Sequence, residues 1–122
     1  MKKILIVDDE KLLTDAYRMV LVRAGYDVKV ANDPRKGLEL AALGKPDLIF
    51  LDMLMPDLNG VEFVKELNAK KLAHKPLIVA FSNIDNPEVI AAAKKIGAAK
   101  YLLKVDYIPR QLAEIAHDLL KK

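Results

Sequence analysis

The chain has 122 residues, enough for one compact domain that buries roughly two thirds of its unfolded surface. Apolar residues make up 52% and charged ones 30%, with no cysteine, so disulfides, thiolate metal sites and cysteine nucleophiles are excluded and a reducing, cytoplasmic setting is expected. The net charge of +3 comes from basic and acidic side chains that are interleaved rather than clustered, which points away from direct nucleic-acid binding.

The first dense apolar run, Ile4-Leu5-Ile6-Val7, reads as a buried strand, and Asp8 and Asp9 follow it at once. Four apolar residues are too few for the apolar region of a signal peptide. Leu13, Tyr17, Val20, Leu21 and Ala24 then form a stripe of helical period that reads as a core face, with Gly25 at its end. Around Asp27-Val28-Lys29-Val30 the pattern alternates, as suits a strand at the edge of a sheet. Asp33-Pro34 starts the second helix with a capping side chain and a proline at the first helical position, and Gly44 is expected to end it in the left-handed conformation.

Leu48-Ile49-Phe50-Leu51 is the third strand and stops at Asp52. Asp57 and Asn59 are expected to shape the following loop and cap the third helix. Leu77-Ile78-Val79-Ala80-Phe81 is the fourth strand, far too short to span a bilayer, and Ser82 ends it. Asn86-Pro87 opens the fourth helix and Gly97 closes it. Tyr101-Leu102-Leu103 is the fifth strand, followed by Lys104, and Leu112, Ile115, Ala116, Leu119 and Leu120 form the last helical stripe. Five alternating pairs with continuous apolar strands predict an α/β domain over residues 1–122, with a parallel sheet covered by helices on both faces and no output domain.

In such a sheet, ligands bind beyond the carboxyl ends of the strands. Asp8, Asp9, Asp52, Ser82 and Lys104 all fall there. Two carboxylates about 4 Å apart repel by roughly 4 kcal/mol at an effective dielectric of about 20, so converging acids call for a cation. Hard oxygen donors without His or Cys suit Mg2+, Mn2+ or Ca2+ rather than zinc, and Mg2+ over carboxylates is suited to phosphoryl chemistry. Ser82 adds a hydroxyl and Lys104 a positive charge for phosphoryl oxygens.

These residues resemble the response-regulator receiver family over essentially the whole chain. The signals are Ile6-Val7-Asp8-Asp9, the stretch Asp52-Met53-Leu54-Met55-Pro56-Asp57-Leu58-Asn59-Gly60, Ala80-Phe81-Ser82-Asn83, and Gly97-Ala98-Ala99-Lys100-Tyr101-Leu102-Leu103-Lys104. The resemblance implies a flavodoxin-like, doubly wound five-stranded sheet in the order 2-1-3-4-5. It makes Asp52 the phosphoryl acceptor, with a sensor histidine kinase, a phosphotransfer protein or acetyl phosphate as donor. Asp9, Asp52 and the Leu54 carbonyl would hold Mg2+ directly, and Asp8 through water. Ser82 and Lys104 would grip the phosphoryl group. Ser82 and Tyr101 would act as the switch, altering the affinity of the helix 4, strand 5, helix 5 face for an unidentified downstream protein. On that face Lys94, Lys95, Lys100 and Arg110 suggest an acidic partner.

Several positions depart from the family pattern. Val105 replaces the usual proline after Lys104, where the family has a cis bond, so the bond is expected either to remain cis under strain or to give way to a rearranged loop. Asn83 replaces a small residue beside the phosphoryl group. Leu54 and Ile84 are apolar beside the path of the hydrolytic water, which predicts a long-lived phosphorylated state. An unphosphorylated pseudo-receiver serving as an interaction module is the main alternative. A phosphohydrolase of the haloacid-dehalogenase type would need its acids as Asp-x-Asp after the first strand, and the Asp8-Asp9-Glu10 sequence would repel the phosphate of a flavodoxin cofactor. His74 and His117 are expected at the surface, away from the site.

Overall fold

The computed structural model describes residues 1–83 and 85–121. Five strands, β1 (Lys3–Val7), β2 (Asp27–Ala31), β3 (Leu48–Asp52), β4 (Leu77–Ser82) and β5 (Lys100–Leu103), form one parallel sheet in the order β2-β1-β3-β4-β5. Helices α1 (Lys11–Arg23), α2 (Pro34–Gly44), α3 (Gly60–Ala69), α4 (Pro87–Lys95) and α5 (Pro109–Leu120) make the crossovers, and a short 3-10 turn, Lys104–Asp106, joins β5 to α5. This is the doubly wound order expected of the chain. None of the described helices is long and apolar enough to cross a membrane.

The continuous apolar runs become strands because both faces of the sheet are covered. On one face, Tyr17 and Leu21 of α1 and Leu112 and Ala116 of α5 pack on Ile4, Ile6, Phe50, Val79 and Phe81. Ala24, assigned to the α1 stripe, is exposed at the C-cap instead. On the other face, Leu38 and Ala41 of α2 and Phe63, Val64 and Leu67 of α3 pack on Leu5, Val7, Ile49 and Leu51. Alternate residues of a strand point to opposite faces, so each run is divided between two cores. At the β2 edge Val28 and Val30 both pack into the core beneath α1 and α5 while Lys29 between them is exposed, which explains the alternation in its sequence.

The helix starts follow their capping residues. Asp33 accepts from the Arg35 and Lys36 N–H groups, and Asn86 accepts from the Glu88 N–H. Asn59 and Glu62 form a reciprocal capping box at α3, where the Asn59 side chain accepts from the Glu62 N–H and Glu62 accepts from the Asn59 N–H, both at 2.9 Å. Gly25 and Gly97 adopt the positive φ expected of them. Gly44 does not. The left-handed residue after α2 is Lys45, at φ 50°, because Gly44 still belongs to the last turn of the helix.

The bond between Lys104 and Val105 is trans. The chain leaves β5 through the 3-10 turn, which redirects it toward α5 and leaves the Val105 side chain exposed. Of the two possibilities drawn from the missing proline, the loop is the rearranged one.

Candidate phosphorylation and metal site

The parallel register brings the ends of β1, β3, β4 and β5 to one edge of the sheet, and each supplies a polar residue there. Asp8 follows β1, with its N–H donating to the Ala31 carbonyl at 3.1 Å and its carbonyl accepting from the Asn32 side chain at 2.9 Å. Asp52 is the last residue of β3, and the Met53 N–H beyond it donates to the Phe81 carbonyl at 2.8 Å. Ser82 ends β4, and Lys104 opens the turn after β5. All four are buried, in positions where an unpaired charge or hydroxyl is costly.

Lys104 draws the acids together. Its ammonium lies 2.7 Å from Asp8 Oδ2, 2.5 Å from Glu10 Oε1 and 3.3 Å from Asp52 Oδ2. Burial opposes that charge, but the close contacts with the Asp8 and Glu10 carboxylates and the field of Asp8 and Asp52 outweigh it, so the lysine titrates above its usual range. The remaining oxygens of the two buried aspartates are held by backbone. Asp8 Oδ1 accepts from the Glu10 N–H at 2.9 Å, and Asp52 Oδ1 accepts from the Leu54 N–H at 3.0 Å.

One lysine does not neutralise three carboxylates. Burial pushes the Asp8 carboxyl up and raises Asp52 to about 6, even though the backbone N–H groups and Lys104 favour their ionised forms. Glu10, half in solvent, is pulled down by its hydrogen bond from Lys104. Asp8, Glu10 and Asp52 present carboxylate oxygens within 4.8 Å of one another. Asp8 Oδ2 is buried with no hydrogen bond; its contact with Lys104 is an ion pair. Clustered hard oxygens, residual negative charge and a buried oxygen without a hydrogen bond fit a divalent cation of the magnesium type.

Asp9 is exposed and lies outside this group of three, while Glu10, which the sequence reading left without a role in the site, lies within it. Its signal was its place two residues beyond Asp8, on the same edge of the sheet. Leu54 is 46% exposed at the rim, and Asn83 is exposed with its amide donating to Glu10 Oε1 at 3.2 Å. Ile84 lies outside the described residues. Tyr101 is half-buried against the cluster of Met53, Ala80 and Ala93. His117 is exposed, and His74 pairs with Asp47 at 3.0 Å, outside the carboxylate cluster.

The model of the response regulator receiver domain matches residues 4–116. The chain belongs to that family. The receiver is 35% identical over 121 residues to the alkaline phosphatase synthesis transcriptional regulatory protein PhoP of Bacillus subtilis, covering 99% of this chain and 49% of PhoP. It is 28% identical to the chemotaxis protein CheY of Thermotoga maritima, covering 98% of both chains. A crystallised CheY4 of Vibrio cholerae superposes with a TM-score of 0.88 at 31% identity, covering 98% of the receiver and 99% of that chain. The receiver spans about half the length of the first curated relatives it matches, PhoP among them. Receiver domains serve phosphorylation-dependent signalling in two-component systems, interact with histidine kinases or phosphotransfer proteins, and bind Mg2+ in an acidic pocket.

Proposed function

We propose that Asp52 accepts a phosphoryl group from a sensor histidine kinase or a phosphotransfer protein, and that the modified receiver then changes its affinity for a downstream protein. The observation that carries this reading is the placement of Asp52, at the end of β3 with one oxygen held by the Leu54 N–H and the other facing the Lys104 ammonium. A carboxylate oxygen of Asp52 attacks phosphorus as the bond to the donor's imidazole nitrogen breaks. The imidazole is released, and an acyl phosphate forms on Asp52. Lys104 balances the charge on the phosphoryl oxygens, and Ser82, buried at the neighbouring strand end, supplies a hydroxyl to them.

Asp52, with Asp9 and the Leu54 carbonyl by family resemblance and Asp8 through water, would hold Mg2+, which would supply charge neutralisation between the acids and the incoming phosphoryl group. The edge of the sheet around the site carries exposed apolar side chains on three loops or helix starts, at Leu12 (88% exposed), Leu54 and Val105 (79% exposed), a surface suited to a protein donor. The downstream face is formed by α4, β5 and α5. There Tyr101 provides the half-buried element between site and surface, and Lys94, Lys95, Lys100 and Arg110 are exposed toward an acidic partner.

Incubation with acetyl phosphate and Mg2+, followed by intact mass measurement, tests the reading. One phosphoryl adduct is expected, absent in Asp52→Asn and without Mg2+. A fully folded protein that gains no adduct from acetyl phosphate or from any phosphorylated donor protein would instead be an unphosphorylated interaction module.

A further inference from the structure

Glu10 engages two side chains that border Asp52: Lys104, the lysine placed to balance a phosphoryl group, and Asn83. A single oxygen, Oε1, accepts from Lys104 Nζ at 2.5 Å and from Asn83 Nδ2 at 3.2 Å. Lys104 lies farther from Asp52, at 3.3 Å, than from Glu10. A carboxylate oxygen between these two donors, beside Asp52, thus engages the lysine that would otherwise be available to a phosphoryl oxygen.

The partners differ in their freedom. The Lys104 side chain is 3% exposed and confined by Asp8 and Asp52, whereas that of Glu10 is 41% exposed and begins where the chain enters α1. Glu10 is therefore the partner able to leave, by rotating its side chain into water. The contact joins residues 94 positions apart and spans the loops after β1 and β5, so its release also frees Lys104 to turn toward Asp52.

We propose that Glu10 is a latch, an internal anionic stand-in for the phosphoryl group that occupies Lys104 and Asn83 until a donor displaces it. The inference rests on Asp52 being the acceptor. It concerns which donors reach Asp52. A small dianion such as acetyl phosphate must displace Glu10 unaided and approach against its charge. A protein donor adds binding energy from the apolar rim at Leu12, Leu54 and Val105, and so offsets the cost of displacement. Glu10 is in this sense a specificity residue that disfavours small donors.

The test compares the parent chain with Glu10→Gln and Glu10→Ala in saturating Mg2+. Two quantities are measured: the rate of adduct formation from acetyl phosphate, and the calorimetric affinity for beryllofluoride, a tetrahedral phosphoryl mimic that requires no chemistry. Loss of a partly exposed ion pair corresponds to about a fivefold change, so both rate and affinity are expected to rise by about that factor in both variants. A contact that merely held the loop in place would not, on removal, make the site react faster or bind the mimic more tightly. Unchanged or lower values in folded variants, with normal phosphorylation of the parent, would overturn the latch alone. An absence of adduct and of beryllofluoride binding in parent and variants alike would overturn the assignment of Asp52, and the latch with it.

Discussion

Lys104 Nζ lies 3.3 Å from Asp52 Oδ2, although the strands that bring them there, β5 and β3, are separated in the sheet by β4. The lysine therefore reaches across the end of the intervening strand to serve an acid on the strand beyond. This bridging position makes it the counterion for carboxylates from two other strand ends and the loop after β1. Lys104 lowers but does not cancel the rise that burial imposes on the Asp52 pKa, and that rise has thermodynamic consequences.

The contribution of Asp52 to the stability of the metal-free receiver should fall as the pH rises from about 4 to above 6. Burial lifts Asp52 from an ordinary 3.8 to about 6 in the folded state, so the folded chain binds more protons than the unfolded chain in that window. The contribution is fully present below the unfolded value and is lost as the pH passes through the folded one. Asp52→Asn removes the ionisation and should stabilise the protein by about 3 kcal/mol at pH 8, with little effect near pH 4. Urea unfolding with chelator present, at both pH values, measures the difference; equal effects at the two would show that ionisation of Asp52 is not the cause.

Mg2+ should bind more tightly as the pH rises through about 6, because it competes with protons for Asp52 and Asp8, both pushed up by burial. Calorimetry at pH 6 in two buffers of different ionisation enthalpy should detect protons released on binding, and none at pH 8. Added Mg2+ should also reverse the high-pH loss of stability.

Gly60→Ala should destabilise the fold and disturb the acceptor. A Cβ at Gly60 would lie 2.5 Å from Met53 Sδ and 2.9 Å from Met53 Cα. The thioether can turn away, but the backbone cannot. Met53 follows Asp52 directly, and its carbonyl accepts from the Gly60 N–H at 3.0 Å. The expected loss is about 1–3 kcal/mol in urea unfolding, accompanied by slower phosphorylation from acetyl phosphate. Replacing exposed Gly44, where a Cβ meets nothing within 4 Å, serves as the control and should leave phosphorylation unchanged.

Leu54 should lengthen the life of the phosphorylated state. It stands at the rim two residues beyond Asp52, where an apolar side chain gives a hydrolytic water nothing to bind. Leu54→Asn combined with Ile84→Glu should shorten the half-life of the adduct on the order of tenfold, a change of ~1.4 kcal/mol in the barrier. Decay of the intact-mass adduct after removal of the donor gives the rate directly.

Much of this architecture is legible in the order of residues, because a parallel strand covered on both faces must be apolar throughout and a helix on one face must repeat with its own period. Ile4 to Val7 and Leu48 to Leu51 follow the first rule, and Leu112, Ala116 and their neighbours the second. The acids and Lys104 were legible as strand-end residues for the same reason. What was hidden depends on direction and reach. Adjacent residues in extended chain point oppositely, so of Asp8 and Asp9 the structure buries only the first. Glu10 reaches the site through its side-chain torsions and the distant position of Lys104, neither of which leaves a periodic mark. The turn at Lys45 was decided by where a helix stopped, a boundary matter of one residue.

Lys104 meets partners that lie 52, 94 and 96 positions earlier in the chain. No fragment lacking β5 contains a complete site, however well its first strands pair, and a folding chain acquires one only when its last strand docks. Long separations of this kind are slow to close. On the proposed reading of Asp52, a response to phosphoryl donors is reserved for molecules in which β5 has docked, and adduct formation during refolding should time its arrival.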